Sequence, residues 1–136
     1  MKYDIIFYKS GKTGLCEKQI KKFFGAIGFA PDMFLCTVAP QEFADALVAS
    51  LQTAYLAVIV GPLGTQMPDC LEDILSNMLA NTQQAKPKKL KAKFCPDGYI
   101  ITCGSQIILT LPDEPREIEF MLTQFVADEI LSIIKL

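Results

Sequence analysis

The chain contains no histidine, and this absence limits the chemistry that it can perform. Histidine is the commonest general base and the usual partner of a catalytic serine or cysteine, so those nucleophile pairs are excluded. Five cysteines are present, but none forms a C-x-x-C pair, so neither a zinc site nor a disulfide framework is predicted. We expect reduced and mostly buried thiols. Any catalysis must therefore use carboxylates, lysines, hydroxyls, thiols or backbone groups.

Charge and hydropathy exclude two further kinds of partner. The formal net charge of -2 gives no whole-chain field that would attract nucleic acid or an anionic membrane. The longest apolar runs, such as Tyr55 to Val60, fall far short of the ~20 residues that span a bilayer. The first residues lead directly into a strand-like run without the architecture of a signal peptide. We expect a cytoplasmic protein with neither a nucleic-acid nor a membrane partner.

Length and composition favour one well-filled core. A chain of 136 residues suits a single domain, residues 1–136, because single domains commonly have ~100–150 residues. Hydrophobic residues make up 51% of the chain and charged residues 21%, which is richer in apolar residues than the average of about 45–50%. This composition also favours an oligomer interface.

Hydrophobic patterning in the first half predicts alternating strands and helices. Runs rich in β-branched and aromatic residues indicate strands, whereas apolar residues that recur every three to four positions indicate helices. The predicted strands are 3–8, 33–38 and 56–60, and the predicted helices are 15–27, 40–53 and 71–79. This alternation predicts parallel strands, right-handed crossovers and helices on both faces of the sheet.

The second half predicts short strands followed by one long helix. Residues Ala85 to Lys89 are interpreted as a basic, proline-containing connector. The predicted strands are 91–94, 99–103 and 106–111, and the predicted helix is 115–134. Short strands separated by turns indicate an antiparallel or mixed edge of the sheet. The expected fold class is therefore α/β, with three αβα layers and a mainly parallel sheet that has a mixed edge.

Lysines dominate the stretch from Lys86 to Lys93. Between residues 89 and 94 they alternate with Leu90, Ala92 and Phe94, which is typical of a half-buried edge strand whose lysines discourage aggregation. A nucleic-acid patch is the alternative interpretation, but few aromatic stacking partners lie nearby.

The stretch from Val58 to Thr65 ends a buried strand in a glycine turn ahead of a helix. Such a turn places backbone amides and a positive helix end at the carboxyl edge of the sheet, where anionic ligands commonly bind. Glycines also allow a ligand to approach the backbone closely. The alternative is purely structural, because strand-to-helix turns need glycine for geometry alone.

A second segment, Ile107 to Glu117, resembles a known family. Leu111, Pro112, Pro115 and Glu117 match the strand-to-helix motif L-P-G-x-P-x-E of the molybdopterin-binding domains of MogA, MoaB and CinA-type proteins. Asp113 replaces the usual glycine. In the same order along the chain, Val60 to Asp69 is similar to the family's T-G-G-x-G-x-T-x-D-D turn, and Pro96-Asp97-Gly98 to its P-E-G segment. The resemblance implies a molybdopterin-binding-like fold.

The resemblance also implies a site. Asp69 would supply a metal-binding or general-base carboxylate, and the implied ligand is molybdopterin or an adenine nucleotide with Mg²⁺. Related activities are adenylyl transfer to molybdopterin and hydrolysis of nucleotide pyrophosphates, and related proteins lead us to expect a dimer or trimer. The residues that would contact the phosphorylated ligand are Gly61, Leu63, Gly64, Thr65, Pro115 and Glu117.

Departures from the family pattern favour a divergent binding domain with weak or absent catalysis. Pro62 removes a backbone donor, Val60 removes a hydroxyl, and most of the family's acidic residues are missing. The family has a G-T-A-P-G loop at the position between Ile101 and Ser105, and in this chain that loop is deleted. Few ligands remain for a metal, so no metal site is predicted. An active hydrolase or adenylyltransferase and an interaction module without a ligand are the alternatives, so enzyme status stays open.

Where the family has an acidic turn after its first strand, this chain has a basic one, Lys9 to Gly14. Its Gly11-Lys12-Thr13 resembles the end of a P-loop, but the glycine that a P-loop requires five residues before the Gly-Lys pair is Ile6. A nucleotide-triphosphate site is therefore not predicted. Two interpretations stay open for residues Ser10 to Gly14: a looser phosphate nest or a plain solvated turn.

Overall fold

The computed structural model describes residues 1–64, 69–80 and 85–134. Strands and helices alternate along the first half of the chain. The elements are β1 (Lys2–Tyr8), α1 (Thr13–Ala26), β2 (Ala30–Thr37), α2 (Pro40–Thr53), β3 (Leu56–Gly61), α3 (Leu71–Met78), β4 (Ala85–Leu90), β5 (Gly98–Cys103), β6 (Gln106–Pro112), α4 (Pro115–Met121) and α5 (Gln124–Ile133). The first six agree with their predicted bounds to within three residues.

The described strands form one sheet in the order β2-β1-β3-β6-β5-β4. The first four run parallel to their neighbours, and β5 and β4 add an antiparallel edge. Helices α1, α4 and α5 cover one face, and α2 and α3 cover the other. The predicted three-layer α/β fold with a mixed edge is confirmed. No described helix is both long and apolar enough to cross a membrane.

Both faces of the central strands are buried, which explains their continuous apolar sequence. Every residue of β3 is buried, and Ile5 and Ile6 of β1 point into the two opposite apolar layers. A parallel sheet covered on both faces brings the turns that follow its strands to one edge of the domain. Gly61, Leu63 and Glu117, three of the site residues predicted from sequence, lie at that edge.

The lysine-rich stretch was assigned to the wrong residues. Residues 85–90 form the edge strand β4, which the sequence pattern had suggested to be a connector, and residues 91–94 lie in the following loop. Pro87 caused the error, because a proline argues against a strand in general but is tolerated at the edge of a sheet. Phe94, expected to be half-buried, is 92% exposed.

The predicted long helix is two helices, α4 and α5. Leu122 and Thr123 leave the helical region of backbone space, although neither glycine nor proline is present. One helix of these residues would run about 30 Å in a straight line. The break instead allows Ile118 of α4 and Ile130 of α5 to pack against the same apolar layer, with Leu122 half-buried beside it.

Candidate functional site

A groove opens where the parallel neighbours β3 and β6 end side by side, with Gly61 paired to Pro112. It encloses about 520 Å³. We call it the carboxyl-edge groove. Three short segments line it: Gly61 to Leu63 at the end of β3, Phe94 to Pro96 in the loop after β4, and Pro112 to Glu117 at the end of β6, with the exception of Pro115. Neighbouring strand ends of a parallel sheet are a common position for ligand sites.

The structure brings some of the predicted site residues together but not others. Gly61, Leu63 and Glu117 line the carboxyl-edge groove. Gly64 and Pro115 are their neighbours in the chain, and Pro115 is the first residue of α4, as its sequence context predicted. Thr65 lies outside the described residues.

Asp69, the predicted catalytic carboxylate, is not among the residues that line the groove. Its side chain is 58% exposed and lies 3.8 Å from Nζ of Lys9, near the end of β1. An exposed ion pair at this distance contributes little to stability. The residue also has a left-handed backbone, with a φ angle of 52°, which aspartate tolerates better than most residues.

The two glycines of the turn after β3 have internal roles. A Cβ atom at Gly61 would lie 2.6 Å from the carbonyl oxygen of Tyr8, so the close approach of β1 and β3 requires glycine there. Gly64 has a φ angle of 115°, and its N–H donates to Oε2 of Glu72 at 2.8 Å. A side chain of α3 therefore already binds the amide that this turn would offer to an anion.

The basic turn between β1 and α1 binds a carboxylate of the same chain. Asp113 accepts hydrogen bonds from Oγ of Ser10 at 2.6 Å, from N of Gly11 at 2.7 Å and from N of Lys12 at 3.3 Å. The amides and hydroxyl do form an anion nest, and Asp113 occupies it. The residue that replaces the family's glycine and the turn that replaces its acidic loop are thus partners.

Two further groups reinforce this contact between the β1–α1 turn and the segment after β6. Nζ of Lys12 donates to Oε2 of Glu114 at 2.7 Å, and the bond and charge of Glu114 raise the pKa of Lys12. The thiol of Cys16 donates to Oδ1 of Asp113 at 3.6 Å. Burial raises the pKa of Cys16 to about 12, with the charge of Asp113 as the second cause. The thiol is therefore a neutral donor rather than a nucleophile.

Glu117 holds the third wall of the groove in place. Its buried carboxylate accepts from N of Lys93 at 2.8 Å and from N of Phe94 at 3.1 Å. Within the same loop, Asp97 accepts from N of Ala92 at 2.9 Å. Glu117 and Asp97, which belong to two of the family-like motifs, therefore bind backbone amides of the loop after β4.

Sequence reasoning did not name eight of the residues that line the groove as site residues, among them Phe94, Cys95 and Arg116. Arg116 is the only arginine of the chain; it is exposed, and within the described residues it forms no ion pair. Burial, with Glu117 as the next cause, raises the pKa of Cys95 to about 11, so its thiol is neutral near pH 7. The presence of a single arginine beside a strand-to-helix turn was the signal that could have been used.

Metal-binding geometry is absent from the part of the chain that the structure describes. Among those residues, no group of three cysteine or acidic side chains is arranged to hold a metal ion. Asp113, Glu114 and Glu117 line the groove, but each binds hydrogen-bond donors of this chain. The groove thus contains carboxylates that already bind donors of this chain. It also contains the guanidinium of Arg116, which is available to a ligand, and the exposed ring of Phe94.

Several proteins of known structure share this fold. No family model and no curated protein sequence matches the chain. Among solved structures, CinA from Thermoplasma acidophilum has a TM-score of 0.76 at 14% identity, over 95% of this chain and 97% of that one. MoaB from Thermus thermophilus, a molybdopterin biosynthesis enzyme, has a TM-score of 0.71 at 13% identity, over 98% and 96%.

A third structure, a molybdenum cofactor biosynthesis protein from Corynebacterium diphtheriae described as putative, has a TM-score of 0.73. Its identity is 13% over 99% of this chain and 96% of that one. These similarities extend over nearly the whole of each chain, so the chain has the fold of MoaB, MogA and CinA-type proteins. At such low identity they show the fold alone.

Proposed function

We propose that the chain is a divergent domain of the molybdopterin-binding type that binds a small phosphorylated ligand in the carboxyl-edge groove, with weak or absent catalysis. One observation carries the proposal. The three acidic side chains that line the groove all bind groups of the same chain, whereas the guanidinium of Arg116 has no such partner among the described residues.

The remaining groups of the groove suit a phosphorylated planar molecule such as a pterin phosphate. Arginine presents a planar fork of donors that matches the oxygens of a phosphate. The exposed ring of Phe94 offers a face for stacking, and Pro62 and Leu63 supply an apolar wall. A volume of about 520 Å³ is typical of sites for small molecules. The molybdopterin biosynthesis proteins that share the fold support the same ligand class.

The residues present do not fit an adenine nucleotide held through Mg²⁺. This ion prefers several oxygen ligands in octahedral geometry, and the lining carboxylates are already engaged. Asp69 is exposed outside the groove, at Lys9. An active hydrolase or adenylyltransferase would need a free acidic group at the reacting atoms. Because the lining carboxylates already bind groups of the chain, the groove favours binding without catalysis.

Calorimetry on the purified chain tests the proposal. Neopterin monophosphate serves as the pterin phosphate, and AMP, ATP and ADP-ribose are compared with and without Mg²⁺. We expect the pterin phosphate to bind without a requirement for Mg²⁺ and none of the nucleotides to turn over. The Arg116→Ala variant should bind it about tenfold more weakly or worse, because a charge-assisted hydrogen bond is lost.

Lys86→Ala is the matched control, since it removes a positive charge from β4, away from the groove. Equal loss in both variants would indicate a general charge effect and contradict the role of Arg116. Absence of heat with every compound would refute the ligand site and leave an interaction module. Turnover of ATP or ADP-ribose would instead support the enzyme alternative, and Asp69→Asn would show whether that carboxylate takes part.

We also propose that the chain assembles with itself, as a dimer or trimer. The edge strand β2 exposes Phe34, Leu35 and the following Val38, and it has none of the lysines that shield the opposite edge strand β4. Light scattering of the purified chain at several concentrations tests this, and a monomer at all of them would contradict it.

A further inference from the structure

A second cavity lies on the face of the sheet that α2 and α3 cover, away from the carboxyl-edge groove. It encloses about 380 Å³ between α3 and the antiparallel strands β4 and β5. We call it the α3 cavity. None of its lining residues lines the groove, and those used below are Glu72, Leu75, Ser76, Leu79, Tyr99 and Ile101.

The walls of the α3 cavity are mainly hydrocarbon, with one acidic residue. Leu75 of α3 and Leu79, which directly follows this helix, line the cavity together with Ile101 and Tyr99. Mostly apolar walls with a few polar groups are typical of sites that bind small molecules. Glu72, in the first turn of α3, is the acidic residue.

Only one of the two carboxylate oxygens of Glu72 accepts a hydrogen bond within the described residues. Its Oε2 accepts from N of Gly64 at 2.8 Å, but its Oε1 is buried and has no hydrogen-bond partner within the described residues. No lysine or arginine there forms an ion pair with it. A buried carboxylate oxygen without a donor is costly, because water no longer solvates it. A donor that enters the cavity would relieve this cost.

Charge complementarity identifies the donor. We infer that the α3 cavity binds a small apolar molecule that carries a cationic nitrogen, of the arylalkylamine class, with Glu72 as its counter-ion. The ring packs against the leucines and Tyr99, and the ammonium group faces the carboxylate. Rotation about the last side-chain bond of glutamate is broad and inexpensive, which lets Oε1 turn toward the ammonium group.

Binding in the α3 cavity is communicated to the turn after β3. Because Oε2 of Glu72 holds the amide of Gly64, a cation at this carboxylate changes the environment of that amide. Gly64 directly follows Gly61 to Leu63, the first wall of the carboxyl-edge groove. The amide signal of Gly64 in nuclear magnetic resonance is therefore a local reporter of occupancy.

The test titrates phenethylamine into the full chain and follows amide signals, with 2-phenylethanol as a neutral compound of similar shape. The wild type should bind the amine more tightly than the alcohol, and the Gly64 amide should shift. Glu72→Gln retains an acceptor for Gly64 but removes the charge. It should bind the amine about tenfold more weakly, as expected for a lost charged hydrogen bond, and leave the alcohol unchanged.

Asp73→Asn is the matched control, because this neighbouring acid of α3 is exposed and lines no part of the cavity. Its amine affinity should stay within twofold of the wild type. Ser76→Trp, which fills the cavity without touching the charge of Glu72, should abolish binding of both compounds. No binding of the amine to the wild type, or equal affinity in the wild type and Glu72→Gln, would overturn the inference. Arg116→Ala should not change amine binding, so this result is independent of the proposed pterin site.

Discussion

The carboxyl-edge groove and the α3 cavity both adjoin the glycine turn after β3, but they differ in which charged group has no internal partner among the described residues. The groove contains three acidic residues, all of which bind groups of the chain, and one arginine without an internal partner among the described residues. The cavity contains one acidic residue, one oxygen of which has no hydrogen-bond partner within the described residues. The number of acidic residues in a site therefore does not tell which of its groups are free to bind a ligand.

The contrast shows that internal hydrogen bonds decide which groups remain available. Arg116 is the group of the groove that is left to bind an anion, because the carboxylates of Asp113 and Glu117, which keep their negative charge, are held by groups of the chain. Glu72 is left to bind a cation because, within the described residues, it accepts from only one donor, N of Gly64. Substitutions that remove or preserve these internal bonds separate the two sites experimentally.

The largest expected effect comes from Glu117→Ala. It leaves the amides of Lys93 and Phe94 without their acceptor and empties a buried position, so the free energy of unfolding should fall by about 2–4 kcal/mol in urea. The third wall of the groove should loosen, and binding of a pterin phosphate should weaken. Phenethylamine should still bind in the α3 cavity, which Glu117 does not touch.

Glu119→Ala is the control on the same helix, since Glu119 is exposed and should change stability by less than about 0.5 kcal/mol. A Glu117→Ala protein as stable as this control would show that the loop after β4 does not depend on the buried carboxylate.

A smaller loss is expected from Asp113→Ala. Removing this carboxylate leaves the hydroxyl of Ser10 and the amides of Gly11 and Lys12 to water, because these groups are partly exposed. We expect a loss of about 1–2 kcal/mol, measured by urea unfolding. Asp113→Asn, which retains one acceptor oxygen, should lose less. Identical stability of Asp113→Ala and the wild type would rule out a structural role for the occupied nest.

Asp69→Asn should have the smallest effect, because Asp69 belongs to neither site. Asparagine also tolerates the left-handed backbone of this residue, and the lost ion pair with Lys9 is exposed and 3.8 Å long. The free energy of unfolding should change by less than about 0.5 kcal/mol. Affinities for the pterin phosphate and for phenethylamine should both be unchanged, and a loss of either would restore Asp69 to a binding site.

Much of the fold follows from local patterns. The helix that begins at Pro40 was predicted at its observed bounds, because proline suits a first helical turn and the apolar residues keep the helical period. β3 was predicted as a strand covered on both faces from its unbroken apolar run. The two errors, at Pro87 and at Leu122, concern positions where packing or sheet position overrides local preference.

The candidate site was less predictable. Gly61, Leu63 and Glu117 were identified from a family-like pattern and do line the groove, yet their observed bonds are internal. Arg116 and Phe94 carry the proposed recognition, but Arg116 occupies a variable position of the L-P-G-x-P-x-E motif and Phe94 was interpreted as part of an edge strand. A polar group can be hydrogen-bonded by a partner that lies about 100 residues away in the chain, as Ser10 and Asp113 are. Such partners decide which polar groups remain free for a ligand.

Local sequence patterns were enough to predict the order of strands and helices, the parallel centre of the sheet and the glycine turn at its edge. These features depend on periodicity and on the backbone preferences of glycine and proline, which act over a few residues. The position of Asp113 in the nest after β1, and the lack of an ion pair at Arg116 among the described residues, depend on how distant segments pack. So does the oxygen of Glu72 that has no hydrogen-bond partner within those residues. Hydrogen bonds between distant segments are set by how the elements pack, and no local pattern records them.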